Sequence, residues 1–221
     1  MRILTKFTAL AFFGLTFFTS TLFSQTIEEV IVTATKKEES LQDLALAIEA
    51  FDSNALEEQQ ITDMLDLTEA VPGLGVAKGI GSGSRYTARG IGSFGTGAAV
   101  LTSFVVETNG LSTGGGIGAD MSYFDLERIE VLKGPQGTLR GRNATTGVIN
   151  FITQRPTSEF EGYYDVQVGN YDHTKTSIVT NVPLGDRVRS RLAIMQNKRE
   201  GYAVHSETGN DFDDRNELGA R

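Results

Sequence analysis

Glu127-Arg128-Ile129-Glu130-Val131-Leu132-Lys133-Gly134-Pro135-Gln136-Gly137-Thr138-Leu139-Arg140-Gly141-Arg142-Asn143-Ala144-Thr145-Thr146-Gly147-Val148-Ile149-Asn150 reads as a charged strand, a Gly-Pro turn, a glycine-spaced loop and a second strand. It closes a longer glycine-rich region. Of the 25 glycines in 221 residues, 18 fall between Gly73 and Gly147, a density that means many turns and close backbone approaches. Short strand-like pieces lie between them, at Arg85–Arg89, Ser103–Glu107, Arg128–Leu132 and Val148–Thr153. Asn109-Gly110 is a hairpin-turn signal. Read by itself, the region is a small, loop-rich α+β domain.

Downstream of Pro156 the pattern changes. In Phe160–Val168 the even positions are apolar or glycine and the odd ones mostly polar. Alternation returns at Ile178, Thr180 and Val182, and again at Val188, Leu192 and Ile194. Segments of about ten residues with a two-residue period suit the strands of a membrane β-barrel, and a soluble antiparallel sheet alternates in the same way. Pro183-Leu184-Gly185-Asp186 is a tight turn, and Glu200–Asn216 is a long acidic loop. Three strands cannot close a barrel, and an open edge in a bilayer would leave unpaired backbone groups. With Leu218–Arg221 starting another strand, the chain reads as a truncated length of a longer polypeptide.

Upstream, residues 41–71 read as short helices. Asn54 and Glu57 form a capping pair, and Thr62 caps a helix over Asp63–Val71 that Pro72-Gly73 ends. Lys36–Ser40 is a charged linker, and Glu28-Glu29-Val30-Ile31-Val32-Thr33-Ala34 is an extended β-branched run ahead of any folded domain. At the start, Arg2 and Lys6 precede an apolar stretch from Phe7 to Phe18 and then small residues, the layout of a secretory leader cleaved near Ser24. A membrane anchor is the rival, but its apolar part would fall short of the ~20 residues of a helical span.

Composition excludes several functions. With no cysteine there is no disulfide framework, thiolate metal site or cysteine nucleophile. His173 and His205 are too far apart to suggest a zinc site, and a net charge of −8 lacks the basic footprint of a nucleic-acid binder. Gly90-Ile91-Gly92-Ser93-Phe94-Gly95 fits G-x-G-x-x-G in form only. Thr96-Gly97 interrupts the required helix, and Glu107 comes too early for the ribose-binding acid. A nucleotide-dependent enzyme would rest on that match alone. Gly137–Arg142 lacks the Gly-Lys-Ser/Thr ending of a phosphate loop, and no nucleophile elbow is expected. No catalytic residue, cofactor or metal is expected.

Two stretches remain, and both resemble the TonB-dependent outer-membrane receptor family. Glu127–Asn150 is similar to its plug signature, ERIEVLKGPQGTLYGRNATGGVIN, through Gly134, Pro135, Gly137, Gly141, Arg142 and Asn143. Glu28–Ala34 resembles the TonB box. Val71–Val76 and Thr87–Gly92 match the VPG and RGIG elements in the expected order. Three places depart from the pattern: Arg140 stands where Tyr or Phe is common, Thr146 replaces a frequent Gly, and Glu107-Thr108-Asn109-Gly110 replaces the usual YVDGV hairpin.

The resemblance implies an α+β plug domain followed by the first antiparallel strands of a large transmembrane β-barrel of the 22-stranded type. The implied layout is a signal peptide at 1–25, box and linker at 26–40, plug at 41–155 and incomplete barrel strands at 156–221. It implies a Gram-negative outer-membrane location in contact with lipid. The implied role is energised uptake of a scarce small molecule such as a ferric siderophore. Glu28, Glu29, Val30, Ile31, Val32, Thr33 and Ala34 would bind TonB by β-strand addition. Arg89 and Lys133, with Arg128 as understudy, would pair with barrel carboxylates. Outward plug loops at Ser93–Gly97 and Leu111–Met121 would meet ligand, with Ser93, Phe94 and Tyr123 as contacts. A free-standing periplasmic plug module is the alternative. A transducing receptor is disfavoured because the box follows the cleavage site closely.

Overall fold

The computed structural model describes residues 30–33, 36–37, 39–44, 46–78, 84–92, 103–112, 123–185, 187–209 and 211–221. The leader, Glu28, Glu29, Ala34, Ser93 and Phe94 lie outside them, as does most of the 111–121 loop. Along the chain come β1 (Ile31–Val32) and β2 (Glu39–Ser40), a 3₁₀ turn (Leu41–Asp43), β3 (Ile48–Asp52), α1 (Ser53–Glu58) and α2 (Met64–Ala70). Next are β4 (Leu74–Lys78), β5 (Ser84–Ala88), β6 (Ile91–Gly92), β7 (Phe104–Thr108), β8 (Leu111–Ser112), β9 (Leu126–Lys133), α3 (Gly137–Arg140) and β10 (Gly147–Thr153). The last are β11 (Glu161–Gly169), β12 (His173–Pro183), β13 (Arg189–Arg199), β14 (Ala203–Val204), β15 (Asp211–Phe212) and β16 (Arg215–Ala220).

A five-stranded sheet in the order β3-β9-β10-β7-β8 organises the first part; β10 and β7 are parallel and the other pairs antiparallel. Because successive side chains alternate faces, Val106, Ile129, Val131, Ile149 and Phe151 meet Leu56, Met64 and Leu67 of α1 and α2 in one core. Val105, Leu132 and Val148 face the other way and form a second core with Ala144 and Val32. Each fully buried aliphatic side chain contributes about 1.5–3 kcal/mol. Burial on both faces explains why β10 reads as a near-continuous apolar run.

The second part is one antiparallel sheet, ordered β11-β12-β13-β16. Lys175, Ser177, Val179, Asn181, Ala193, Met195 and Asn197 are buried on the face toward the first part. The opposite face exposes Tyr164, Ile178 and Ile194 in one register row, flanked by Val166, Leu192 and Leu218. A Cβ on Gly162 would lie 2.6 Å from the Val179 carbonyl oxygen, so this glycine lets β11 close on β12. No helix among the described residues is long and apolar enough to cross a membrane.

The helical reading of 41–71 needs correction. Ile48–Asp52 is a strand, held by pairing with β9. The caps also sit elsewhere: Asp52 caps α1 through the Ala55 N–H (2.7 Å). Asp63, not Thr62, caps α2 in a reciprocal box with Asp66. The carboxylates win because each reaches a backbone N–H three residues on, while the Thr62 hydroxyl donates to the Asp66 carboxylate at 2.7 Å. The Glu200–Asn216 loop contains the small β14–β15 hairpin, and β16 already begins at Arg215.

Candidate functional site

Glu130 lies mid-β9 on the second-core face with 0% exposure. Buried carboxylates need partners, and this one has several. The Arg128 Nε donates at 2.9 Å, the Thr33 N–H at 2.7 Å, the Thr33 hydroxyl at 3.1 Å and the Asn150 amide at 3.4 Å. Two of these donors come from Thr33, within the N-terminal run expected to precede any folded domain. That expectation is corrected. Ile31 and Val32 pair antiparallel with Ser40 and Glu39, the Leu41 N–H bonds the Val30 carbonyl at 2.9 Å, and Val32 is fully buried. Valine gains a second-core site while Thr33 satisfies Glu130, so Val30–Thr33 is folded back onto the sheet.

Asn150 extends this polar row. Its register partners are Glu130 on one side and Glu107 on the other, and its side-chain amide oxygen accepts from the Gly110 N–H at 3.0 Å. Glu107 in turn forms an ion pair with Arg140, the side chains being 5% and 1% exposed. Burial holds the Arg140 pKa below its ordinary value. Two of the departures from the plug pattern therefore meet each other, a pairing that sequence separation concealed.

The signature loop itself is a closed flap. Gly134 N–H bonds the Thr146 carbonyl (2.9 Å) and Gln136 N–H bonds that of Ala144 (2.7 Å), while the N–H groups of Thr145 and Thr146 reach Ser103. Gly134 and Gly141 have φ of 114° and 83°, positions that favour glycine. Pro135, Gly137, Arg142 and Asn143 lie along the same flap, around α3. At Gly147 a Cβ would meet the Leu132 carbonyl at 2.7 Å and Phe104 at 2.6 Å.

Of the three cations expected to reach the barrel, Arg128 pairs with Glu127 and Glu130 and Lys133 with Glu49, all within the first part. Arg89 is exposed at a turn with φ 55°. The ion pairs that bridge the two parts among the described residues run with the opposite polarity. Asp63 binds Arg215 at 2.8 Å, and Asp125 binds Arg191 at 2.5 Å and Arg221 at 3.0 Å. For Asp63, burial pushes the carboxyl pKa up, but the Arg215 hydrogen bond and the Asp66 and Leu65 N–H groups more than offset it, leaving it below 3.8. Sequence reading missed these acids because nothing local marks them.

Tyr123, expected to face ligand, packs against the first core and also lines the cleft between the two parts. Its ring lies 5.1 Å from that of Phe151 and its hydroxyl 3.6 Å from the Met64 sulfur. The apolar ring completes the first core. A cleft of about 1010 Å³ separates α1 and α2 from β11–β13, with Glu57, Asp66, Asp125, Tyr163, Lys175 and Arg191 on its walls. Among the described residues no group of acids and histidines could hold a metal ion.

Residues 40–148 match the family model described as TonB-dependent Receptor Plug Domain. The chain is 28% identical over 183 residues to the vitamin B12 transporter BtuB of Vibrio vulnificus, covering 82% of this chain and 29% of that protein. It is 29% identical over 143 residues to the catecholate siderophore receptor Fiu of Escherichia coli, covering 65% of this chain and 18% of Fiu. The structure of the ferric yersiniabactin uptake receptor FyuA from Yersinia pestis superposes with a TM-score of 0.64 at 23% identity, over 79% of this chain and 27% of FyuA. The chain thus spans under a third of the length of these proteins.

Proposed function

The chain belongs to the TonB-dependent receptors by the plug domain at residues 40–148, and from that premise we propose that it serves energised uptake of a scarce small molecule across the outer membrane. A ferric siderophore or a corrinoid is the class that its relatives' names suggest. In this reading residues 1–25 are a leader, 26–40 the TonB-contact segment, 41–155 the plug and 156–221 the first strands of the wall around it. The observation that carries it is the two-sided sheet β11–β16. Its inner face, seated on the plug, carries Lys175, Ser177, Asn181 and Asn197 among smaller apolar patches, while its outer face presents Tyr164, Ile178, Leu192 and Ile194, as a lipid-facing barrel wall does.

Partner engagement follows from the chemistry of the segment. The run Glu28–Ala34 adds as a strand to the edge of TonB's periplasmic domain, where main-chain hydrogen bonds bear load. The seat of Val32 and Thr33 on the sheet must be vacated first. Arg89, Lys133 and Arg128 remain candidates for pairing with wall carboxylates outside the described residues, and Ser93 and Phe94 for ligand contact.

The test is uptake of radiolabelled cyanocobalamin and of a ferric catecholate by cells with and without TonB, beside Ile31→Pro. Proline removes a ladder donor, so uptake of the transported probe should fall to the level of cells lacking TonB. Energised uptake that survives Ile31→Pro would refute the strand-addition role. Recovery of the protein from the periplasm, rather than the outer membrane, would refute the receptor.

A further inference from the structure

Tyr123, Phe124 and Asp125 are three consecutive residues held by three cations, each from a different place in the second sheet. Lys175 of β12 donates to the Tyr123 carbonyl at 3.1 Å. Arg221, just past β16, donates to the Phe124 carbonyl at 3.2 Å and the Asp125 carbonyl at 2.5 Å, and its guanidinium lies 5.1 Å from the Phe124 ring centroid. Arg191 of β13 grips the Asp125 carboxylate through Nε at 3.0 Å and Nη2 at 2.5 Å. The Asp125 side chain is 1% exposed. Its φ of 50° turns the chain into β9, a left-handed conformation that aspartate tolerates better than most residues.

The location matters as much as the contacts. Asp125 lies directly before β9, and its carbonyl also accepts from the Gln154 N–H directly after β10, at 3.1 Å. From there the chain runs on into β11. The β9–β10 pair is thus fixed to the wall twice at one end, covalently through 154–160 and by the three-cation clasp. The other bridging contact joins one acid to one cation, Asp63 to Arg215, with side chains 13% and 22% exposed, against 1%, 12% and 36% for Asp125, Arg191 and Arg221. Parting Asp63 from Arg215 breaks one bridging contact, whereas freeing Tyr123–Asp125 breaks those to three cations and strands Asp125, the more buried carboxylate.

We propose that Tyr123–Asp125 is the fixed joint of the plug, which keeps β9 and β10 on the wall while the Asp63–Arg215 contact releases and the rest of the domain shifts about it. This rests on the receptor reading, which outer-membrane fractionation of the unmodified protein tests separately. The first arm uses vancomycin, a large hydrophilic glycopeptide, as a leak probe in cells lacking TonB. Asp125→Asn should lose exclusion of vancomycin, and Asp63→Asn should retain it. The second arm exploits the absence of native cysteine. At Gly219 a Cβ would lie 2.7 Å from the Phe124 ring, so Phe124→Cys with Gly219→Cys places two thiols across the joint once that ring is gone. Bridging them with a short bis-maleimide in the Asp125→Asn background should restore exclusion, which a general folding defect would not allow. With Asp125 intact, bridging should leave TonB-dependent uptake of cyanocobalamin or ferric catecholate at the level of the same Phe124→Cys/Gly219→Cys protein unbridged. Exclusion unaffected by Asp125→Asn, a leak that bridging does not close, or uptake abolished by bridging would each overturn the joint.

Discussion

At the scale of single residues, the molecule stakes most on charges placed out of water. Arg140→Tyr alone would strand Glu107 on the sheet and should cost about 3–5 kcal/mol, as breaking buried pairs does. The double variant Glu107→Tyr/Arg140→Tyr should recover most of that loss in a thermal or denaturant melt of the detergent-solubilised protein. Glu130→Ala should cost a similar amount, because Arg128 and Thr33 lose their acceptor together. Asp63 sets a pH dependence. Its carboxyl is held below the ordinary carboxylate value, so its contribution is complete above about pH 3.9 and is lost as pH falls through the lower folded value. Melting midpoints from pH 5 downward should therefore fall less steeply in Asp63→Asn than in the native protein. Sequence reading noticed Arg140 and Glu107 as oddities but could not pair them, since strand register and not spacing brings them together. The packing of Tyr123 on Phe151 and Met64 was illegible for a related reason, since both partners are distant in sequence.

At the scale of elements, local chemistry was the legible part. Asn109 and Gly110, with φ of 52° and 77°, form the two-residue hairpin turn that their types demand. Nothing lies near a Cβ built on Gly110, so Gly110→Ala should cost only the backbone penalty, about 1–2 kcal/mol. Gly147→Ala should cost more, because its methyl meets a backbone carbonyl that cannot yield. Comparing the two by chemical denaturation separates conformational from steric demand for glycine. The strands around the signature were readable because β-branched and apolar residues recur in them and turns bound them. β3 was not, because Ile48-Glu49-Ala50-Phe51-Asp52 has no clean alternation and lies among helix formers. Its strand state comes from the β9 edge it covers, a tertiary preference that outweighs propensity.

At the scale of the whole molecule, alternation in β11–β13 foretold two faces but not what each would meet; only the packed structure supplies the plug on one side. Ile178→Lys or Ile194→Lys on the outer face should destabilise by about 2–4 kcal/mol if these positions lie near mid-bilayer. Lysine at Thr174, toward the strand end, should cost less, and folding yields into lipid vesicles would rank the three. Under the proposed engagement of this segment by TonB, the seat of Val30–Thr33 on the sheet has a further consequence, for traffic between many receptors and one motor. A handle that is open in only one molecule in a hundred weakens apparent capture by that factor, about 100-fold. Idle copies then stay out of the queue, and a scarce motor divides its strokes among the copies whose handles are already loose.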